Sequence, residues 1–507
     1  MNTSNLWTMS AMSLMLASCA SLPDLDSEMS GQIDISKEWQ TANSGSFSVE
    51  DGWLDQMNNP DLSQFVAEVL EKNPNYNEVA LRMQAAGYNA DAAFGRMLPR
   101  IGASGNVTKS KNQFSNFNQQ INQGQQPGTV QQPISNTNTN YNIGLDASWE
   151  VDVWGRLSAN TAVARSNYEV AEYDYYGARL SLASQVAQGW FDVIEAKQQW
   201  DLAISTVENY ERATKIIRNR FERGLSSGLD LRLSVTNLEA SKATEQQRMT
   251  LYYTALRQLE LFAGKYPAAA MDVAGQIPDI MDDVPVGVPL EIIERRPDLR
   301  SARARLYAAA YRAEASEKAM LPTISITARG NNTTEEFGEL LKFDNVFWNL
   351  IGGITQPIFQ GGQLRYAAKA EQLNFEAQKQ NYATTLLRAF KEVEDALDND
   401  RSLAARVAFT ESAALNAIAA ERVALEQYSQ GLIPIATLLQ SQRQSLTQQS
   451  QLLSIKKQRI NNRISLYLAL GGDFTTSTAP LIEENANIIQ NNEQSVQISA
   501  EVQEYQS

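Results

Sequence analysis

Residues Pro74 to Pro99 superimpose on Pro297 to Pro322 at a constant offset of 223, without a gap, and ten of those 26 positions are identical. The identities include Pro74/Pro297, Arg82/Arg305, Tyr88/Tyr311 and the run Met97-Leu98-Pro99 against Met320-Leu321-Pro322. Further along, the offset settles at 207 and pairs Gly155 with Gly362, Val186 with Val393, Gly224 with Gly431, Leu259 with Leu466 and Gly264 with Gly471. The chain is therefore one unit duplicated, and whatever the first copy folds into the second must also build. The fall in offset leaves 16 extra residues in the first copy, all between about Ser104 and Gly144.

Within that insertion, residues 112–140 are mostly Asn, Gln, Ser, Thr and Gly, with no charge and little apolar content, which predicts a loop with no core of its own. Immediately after it, Tyr141, Ile143, Leu145, Ala147, Trp149 and Val151 alternate with Asn142, Gly144, Asp146, Ser148, Glu150 and Asp152. This period of two predicts a strand with one apolar face and one face polar enough to line water. Ile101, Ala103 and Val107 alternate more weakly upstream. The second copy repeats the arrangement, with strands expected at about 322–329 and 347–359 and a loop over 330–346, against about 99–108 and 141–153 in the first.

Between the hairpins the pattern is helical. From Leu157 to about Phe221 there is no proline, and apolar residues recur at spacings of three, four and seven. A continuous helix of ~65 residues would be ~100 Å long. Gln363 to Gln430 repeats the run, and both stop at a glycine, Gly224 or Gly431, before helical pattern resumes to Gly264 and Gly471. Two helical hairpins with equivalent tips follow, at about 221–230 and 428–437.

The residue inventory argues against several function classes. There are 43 basic and 58 acidic residues, a net charge of −15 and no basic block, which disfavours a nucleic-acid partner. Histidine is absent and cysteine occurs once, so the usual general base, the commonest metal ligand and any disulfide framework are missing. No phosphate-cradling glycine loop or nucleophile elbow is present, so neither a catalytic residue nor a metal site nor an enzyme activity is expected.

The single cysteine, Cys19, follows the apolar and small residues Met9 to Ser18 and ends the run Leu16-Ala17-Ser18. This resembles the bacterial lipobox, which implies a lipoprotein signal peptide over 1–18 and an N-acyl diglyceride on Cys19 as the only attached group; a buried free thiol is the alternative. Ala20 follows, rather than the aspartate associated with inner-membrane retention, which favours the outer membrane. Four strands per chain have the length of transmembrane strands, yet a closed barrel needs at least about eight. Open edges do not survive in lipid. Several identical chains must pool their strands, unless the hairpins are a small soluble sheet capping a coiled coil.

The run Val288-Pro289-Leu290-Glu291-Ile292-Ile293-Glu294-Arg295-Arg296-Pro297-Asp298-Leu299-Arg300 resembles the hallmark of TolC/OprM-type, NodT-like outer membrane factors. These are the outer-membrane lipoproteins of tripartite resistance-nodulation-division (RND) efflux systems. Trp53 to Leu62 with Asn73-Pro74, the run from Ala147 to Arg156, and Pro357 to Gly362 are similar to the same family. The resemblance implies a mainly α fold with a membrane β-barrel: long coiled-coil-like helices forming an α-barrel, and four strands per chain contributing to a trimeric, twelve-stranded barrel. It implies a homotrimer partnered by a periplasmic adaptor, an inner-membrane RND transporter and outer-membrane lipid, acting as a passive exit duct for small toxic compounds. A type I protein-secretion duct and a non-conducting envelope scaffold are the alternatives.

Carried onto this chain, the resemblance places adaptor-docking tips at Arg220, Phe221, Gly224 and Leu225, and at Tyr428, Gly431 and Leu432. Candidate gate positions are Leu229, Asp230, Leu233, Ala436, Thr437 and Gln440, although Asp230, like any single acidic residue, also reads as a solvated helix face. Tyr141, Ile143, Leu145, Trp149 and Val151 would meet lipid. The expected domains are an N-terminal arm and equatorial segment over 19–69, a first repeat over 70–267, a linker over 268–288, a second repeat over 289–474 and a flexible tail over 475–507.

Overall fold

The computed structural model describes residues 39–40, 54, 57, 59–114, 134–279, 289, 291–342 and 346–472. Cys19 and the expected signal peptide, most of the expected arm and the expected tail lie outside the described residues. In chain order the elements are α1 (Pro60–Lys72), α2 (Pro74–Gly95), β1 (Arg100–Phe114), β2 (Ile134–Val151), α3 (Arg156–Glu222), α4 (Gly228–Phe262), α5 (Glu291–Arg295), α6 (Pro297–Lys318), β3 (Thr323–Thr334), β4 (Phe347–Thr355), α7 (Gln363–Gln430) and α8 (Ile435–Ala469). The order α2-β1-β2-α3-α4 recurs as α6-β3-β4-α7-α8, so the duplication in sequence is a duplication in structure.

Two compact units emerge, one holding residues 83–171 and 303–382, the other holding 172–302 and 383–472 together with α1 and the start of α2. The first unit carries an antiparallel sheet in the order β1-β2-β3-β4. Each copy supplies one hairpin, and β2 joins them by pairing with β3 from Tyr141↔Thr334 to Val151↔Ile324. Among the described residues, β1 and β4 each keep a free edge in the single chain.

The strands run further than apolar alternation predicts. β2 begins at Ile134 and pairs Thr139 with Lys109 and Thr137 with Lys111, so part of the expected 112–140 loop is ladder. β3 likewise continues to Thr334. Once both faces of a ribbon meet water the apolar period vanishes, while backbone pairing and the strand preference of threonine persist.

The helical unit has two cores related by the same offsets. Val69, Val186 and Leu259 lie in one, and their counterparts Ile292, Val393 and Leu466 lie in the other, all six essentially without solvent exposure. Each long helix ends in a Schellman turn. At the first tip Gly224 N–H donates to the Phe221 carbonyl and Leu225 N–H to the Arg220 carbonyl; at the second, Gly431 donates to Tyr428 and Leu432 to Gln427. The φ angles of +73° and +77° at Gly224 and Gly431 are left-handed, which is why glycine stands there.

Candidate functional site

Two places concentrate side chains that a water-soluble monomer would not expose, the sheet and the helical tips.

Directly paired residues of antiparallel strands share a face. The register therefore aligns Ile101, Ala103 and Val107 of β1 with the β2 series Tyr141, Leu145 and Ala147, and continues through Ile324, Ile326 and Ala328 to Trp348, Leu350 and Ile354. Nine large apolar side chains of this face are exposed, from Trp348 at 79 % and Ile101 at 79 % down to Ile326 at 36 %. Ile143, Leu145 and Trp149 are among them, while Tyr141 and Val151 are half-buried. Fully burying a side chain of this kind is worth about 1.5–3 kcal/mol, and each of these forgoes the part of it that its exposure represents. A contiguous surface of this size persists only beneath an apolar cover.

The opposite face carries Ser104, Asn106, Asn142, Asp146, Ser148, Glu150, Arg329, Asn331 and Asn349. Asn142 Nδ2 donates to Thr333 Oγ1 across the β2/β3 pair at 2.7 Å. Only β4 breaks the pattern, with exposed Phe347 and Ile351 among the polar positions. At the near end of the sheet, Trp149 Nε1 donates to the Met97 carbonyl and Trp154 Nε1 to the Pro322 carbonyl. Asp152 caps α3 by accepting from the Leu157 and Ser158 amides at 2.9 and 2.7 Å.

At the far end, Asn332 is buried and its amide donates to the carbonyls of Leu340 and Lys342. That amide ties down the turn after β3, which includes a short 3₁₀ segment, Phe337–Glu339. Phe337 then meets Tyr141 edge-to-face, ring centroids 5.5 Å apart, at the last apolar rung of the sheet.

The tips of the two copies are held together by Arg220. Its Nη1 donates to the Ser429 carbonyl at 2.8 Å, and the guanidinium lies over the Tyr428 ring, 5.5 Å from its centroid. A Cβ on Gly431 would stand 3.2 Å from Nη2, so glycine there gives the arginine its room. Tyr428 is buried with Ile217, Leu438 and Leu439, and burial is the main cause that raises its hydroxyl pKa; the nearby Asp230 charge adds to the shift and Arg220 opposes it. Its counterpart Phe221 is exposed, as are Leu225 and Leu432.

Of the candidate gate positions, Asp230 is committed locally. Its carboxylate accepts from the Ser227 amide and its own amide donates to Ser227 Oγ, a capping box that starts α4. Pro434 begins α8 without a side-chain cap. Leu229, Leu233, Ala436, Thr437 and Gln440 are exposed on the first turns of α4 and α8. The Arg220 clasp escaped sequence reasoning because its partners Tyr428 and Ser429 lie in the other copy, Ser429 209 residues away; the constant offset, which sets Gln427 opposite Arg220, is the signal that the two tips differ.

Among the described residues no helix is long and apolar enough to cross a membrane. The sheet is the surface with membrane character. The family model of the outer membrane efflux protein matches residues 65–265 and again 288–472, once per copy. The chain is 25% identical over 494 residues to the probable efflux pump outer membrane protein TtgC of Pseudomonas putida, covering 94% of this chain and 97% of that protein. It is likewise 25% identical over 470 residues to the probable outer membrane lipoprotein SilC of Salmonella typhimurium, covering 90% and 96%. The Campylobacter jejuni outer membrane channel CmeC shares the fold, with a TM-score of 0.79 at 20% identity over 89% of this chain and 96% of that one. With both halves of its duplication matched, the chain belongs to the outer membrane efflux protein family.

Proposed function

We propose that this outer-membrane efflux protein is a passive exit duct that works as a homotrimer, with the apolar sheet face against lipid and the polar face lining water. The observation that carries this reading is the sheet itself. It has one continuous exposed apolar face, one polar face and two free edges, and lipid tolerates the first only if the edges are closed by other copies. Four strands are too few to close alone.

The tips, with Phe221, Leu225 and Leu432 exposed at two glycine-ended turns, suit docking by a periplasmic adaptor that links the duct to an inner-membrane RND transporter. No step in this role needs a catalytic group. Leu229, Asp230, Leu233, Ala436, Thr437 and Gln440 would narrow the periplasmic mouth, where a ring of carboxylates would favour cations. The likeness to a relative named a lipoprotein supports acylation at Cys19.

Sedimentation of the purified protein in mild detergent and planar-bilayer recording test the duct together. Trimers that conduct ions are expected; folded monomers alone, or trimers that stay silent even after Asp230→Ala and Leu233→Ala, would overturn it. Cys19→Ser is expected to abolish incorporation of labelled palmitate, and unchanged labelling would remove the anchor from the reading.

A further inference from the structure

The apolar face of the sheet has a sharp upper boundary. Its last rung is Val107↔Tyr141↔Thr334, where β3 ends and Phe337 packs on Tyr141. Beyond that rung only β1 and β2 continue, as a two-stranded ribbon. Strand parity carries the same face upward through Lys109 and Lys111, which oppose Thr139 and Thr137. Both lysines are exposed, and neither has an ion-pair partner among the described residues.

Charge makes the placement informative. The whole segment from Thr108 to Asn140 contains these two lysines and no acidic residue, in a chain whose net charge is −15. Lysine on an edge strand also deters unwanted pairing, but either face would serve for that. Here both cations occupy the apolar-face column, about 7 and 14 Å beyond Val107 at ~3.4 Å per residue. A lysine stem can lie along apolar surface while its ammonium reaches the headgroup level.

We propose that Lys109 and Lys111 form a binding surface for the phosphate groups of outer-leaflet lipid, seated immediately above the aromatic rim of Tyr141 and Phe337. The inference rests on the reading that the apolar face meets lipid, because only then do the two ammonium groups stand at the outer headgroup layer. Each cation near a charged membrane surface adds about 1 kcal/mol, so the pair corresponds to a tenfold or greater change in affinity.

The test titrates delipidated full-length protein in detergent with diphosphoryl lipid A and counts retained lipid by native mass spectrometry. K109Q/K111Q is expected to weaken binding at least tenfold and K109R/K111R to retain it, with fully dephosphorylated lipid A binding weakly and alike to all three proteins. Equal affinity of the wild type and K109Q/K111Q would overturn the proposal, as would tight binding of the dephosphorylated lipid. Displacement of lipid A by equimolar inorganic phosphate would also overturn it, by showing a free-anion site. Bilayer conductance of the same samples separates the two readings: conducting protein without phosphate-dependent binding refutes the lysine surface alone, and protein that stays silent even after Asp230→Ala and Leu233→Ala refutes the duct.

Discussion

The two copies solve one structural problem with different chemistry. At the junction where the short helix begins and the last helix of the same copy ends, Asn73 stands in the first copy and Arg296 in the second, related by the offset of 223. Asn73 Nδ2 donates to the Phe262 carbonyl at 2.8 Å, and Arg296 Nη1 donates to the Ala469 carbonyl at 2.9 Å; Phe262 and Ala469 are themselves related by 207. The glycines match as well. A Cβ on Gly264 would lie 3.1 Å from the Lys72 carbonyl oxygen, and one on Gly471 would lie 2.9 Å from the Arg295 carbonyl carbon.

An amide has both a donor and an acceptor, so Asn73 also caps α2 by accepting from the Tyr76 amide at 3.0 Å. A guanidinium has no acceptor. In the second copy Asp298 supplies the missing oxygens, holding Arg296 Nε and Nη2 at 3.0 and 2.8 Å, and Glu392 adds a third contact at 2.7 Å. The first-copy counterparts of Asp298 and Glu392 are Asn75 and Gln185, both neutral. Substituting the donor thus required charged partners, and a single change at this junction is not interchangeable between copies.

The tips give the largest test of that asymmetry. Tyr428→Ala is expected to cost about 3–5 kcal/mol by emptying a buried site, whereas Phe221→Ala, on an exposed side chain, stays within about 0.5 kcal/mol. Hydrogen exchange of the tip segments in the detergent-solubilised protein reads both; equal effects would mean that the tips are equivalent after all. At the junctions, Arg296→Ala strands two carboxylates and the Ala469 carbonyl. We expect a loss of about 3 kcal/mol, since Asp298 and Glu392 are half-exposed. Asn73→Ala, which removes neutral hydrogen bonds, costs about 1–2 kcal/mol. The triple variant Arg296→Asn, Asp298→Asn, Glu392→Gln copies the first junction into the second and recovers most of the Arg296→Ala loss in thermal unfolding.

Much of this was legible in the sequence because it is periodic. The duplication, the glycine-ended helices from Gln363 to Gln430 and before Gly224, and the two-faced β2 strand all follow from spacing along the chain. What stayed hidden lacks a local signature. The contacts of Asn73 with Phe262 and of Arg296 with Ala469 span 189 and 173 residues, so nothing near either residue announces that distant partner. The 135–140 stretch of β2 is polar on both faces, which erases the alternation that marks strands elsewhere. Asp230 stood out as an acidic residue after a tip, yet its Ser-x-x-Asp spacing from Ser227 was also a capping signal.

The chain leaving the first copy gives the two smaller tests. Buried Glu260 accepts from the amides of Ala269, Ala270 and Met271 at 2.7, 2.6 and 3.1 Å, while its counterpart in the second copy is Tyr467. Burial pushes its pKa up, but the three amide donors outweigh it and leave the carboxyl below the ordinary value of 4.5. A group with a lowered folded pKa stabilises fully above its unfolded value and loses that contribution as pH falls through the folded one. First-copy stability should therefore decline on acidification below about pH 4.5, with no matching acid limb from Tyr467. Glu260→Gln costs about 2 kcal/mol at neutral pH and flattens that limb in thermal unfolding; an unchanged acid limb would assign it to other carboxylates.

The same carboxylate holds Ala269 at φ +56°, the one non-glycine residue with positive φ among those described. That conformation costs alanine about 1 kcal/mol, which glycine avoids at the expense of about 0.5–1 kcal/mol of unfolded-state entropy and of the packing of a methyl against the first-copy core. Ala269→Gly alone should shift stability by less than about 0.5 kcal/mol. In the Glu260→Gln background the weakened clamp no longer enforces the strained turn, so the alanine can relax there and the glycine should gain about 0.5 kcal/mol less than it does in the wild type. Additive single and double variants would mean that the turn is set by the backbone beyond Met271, and that Glu260 only follows it.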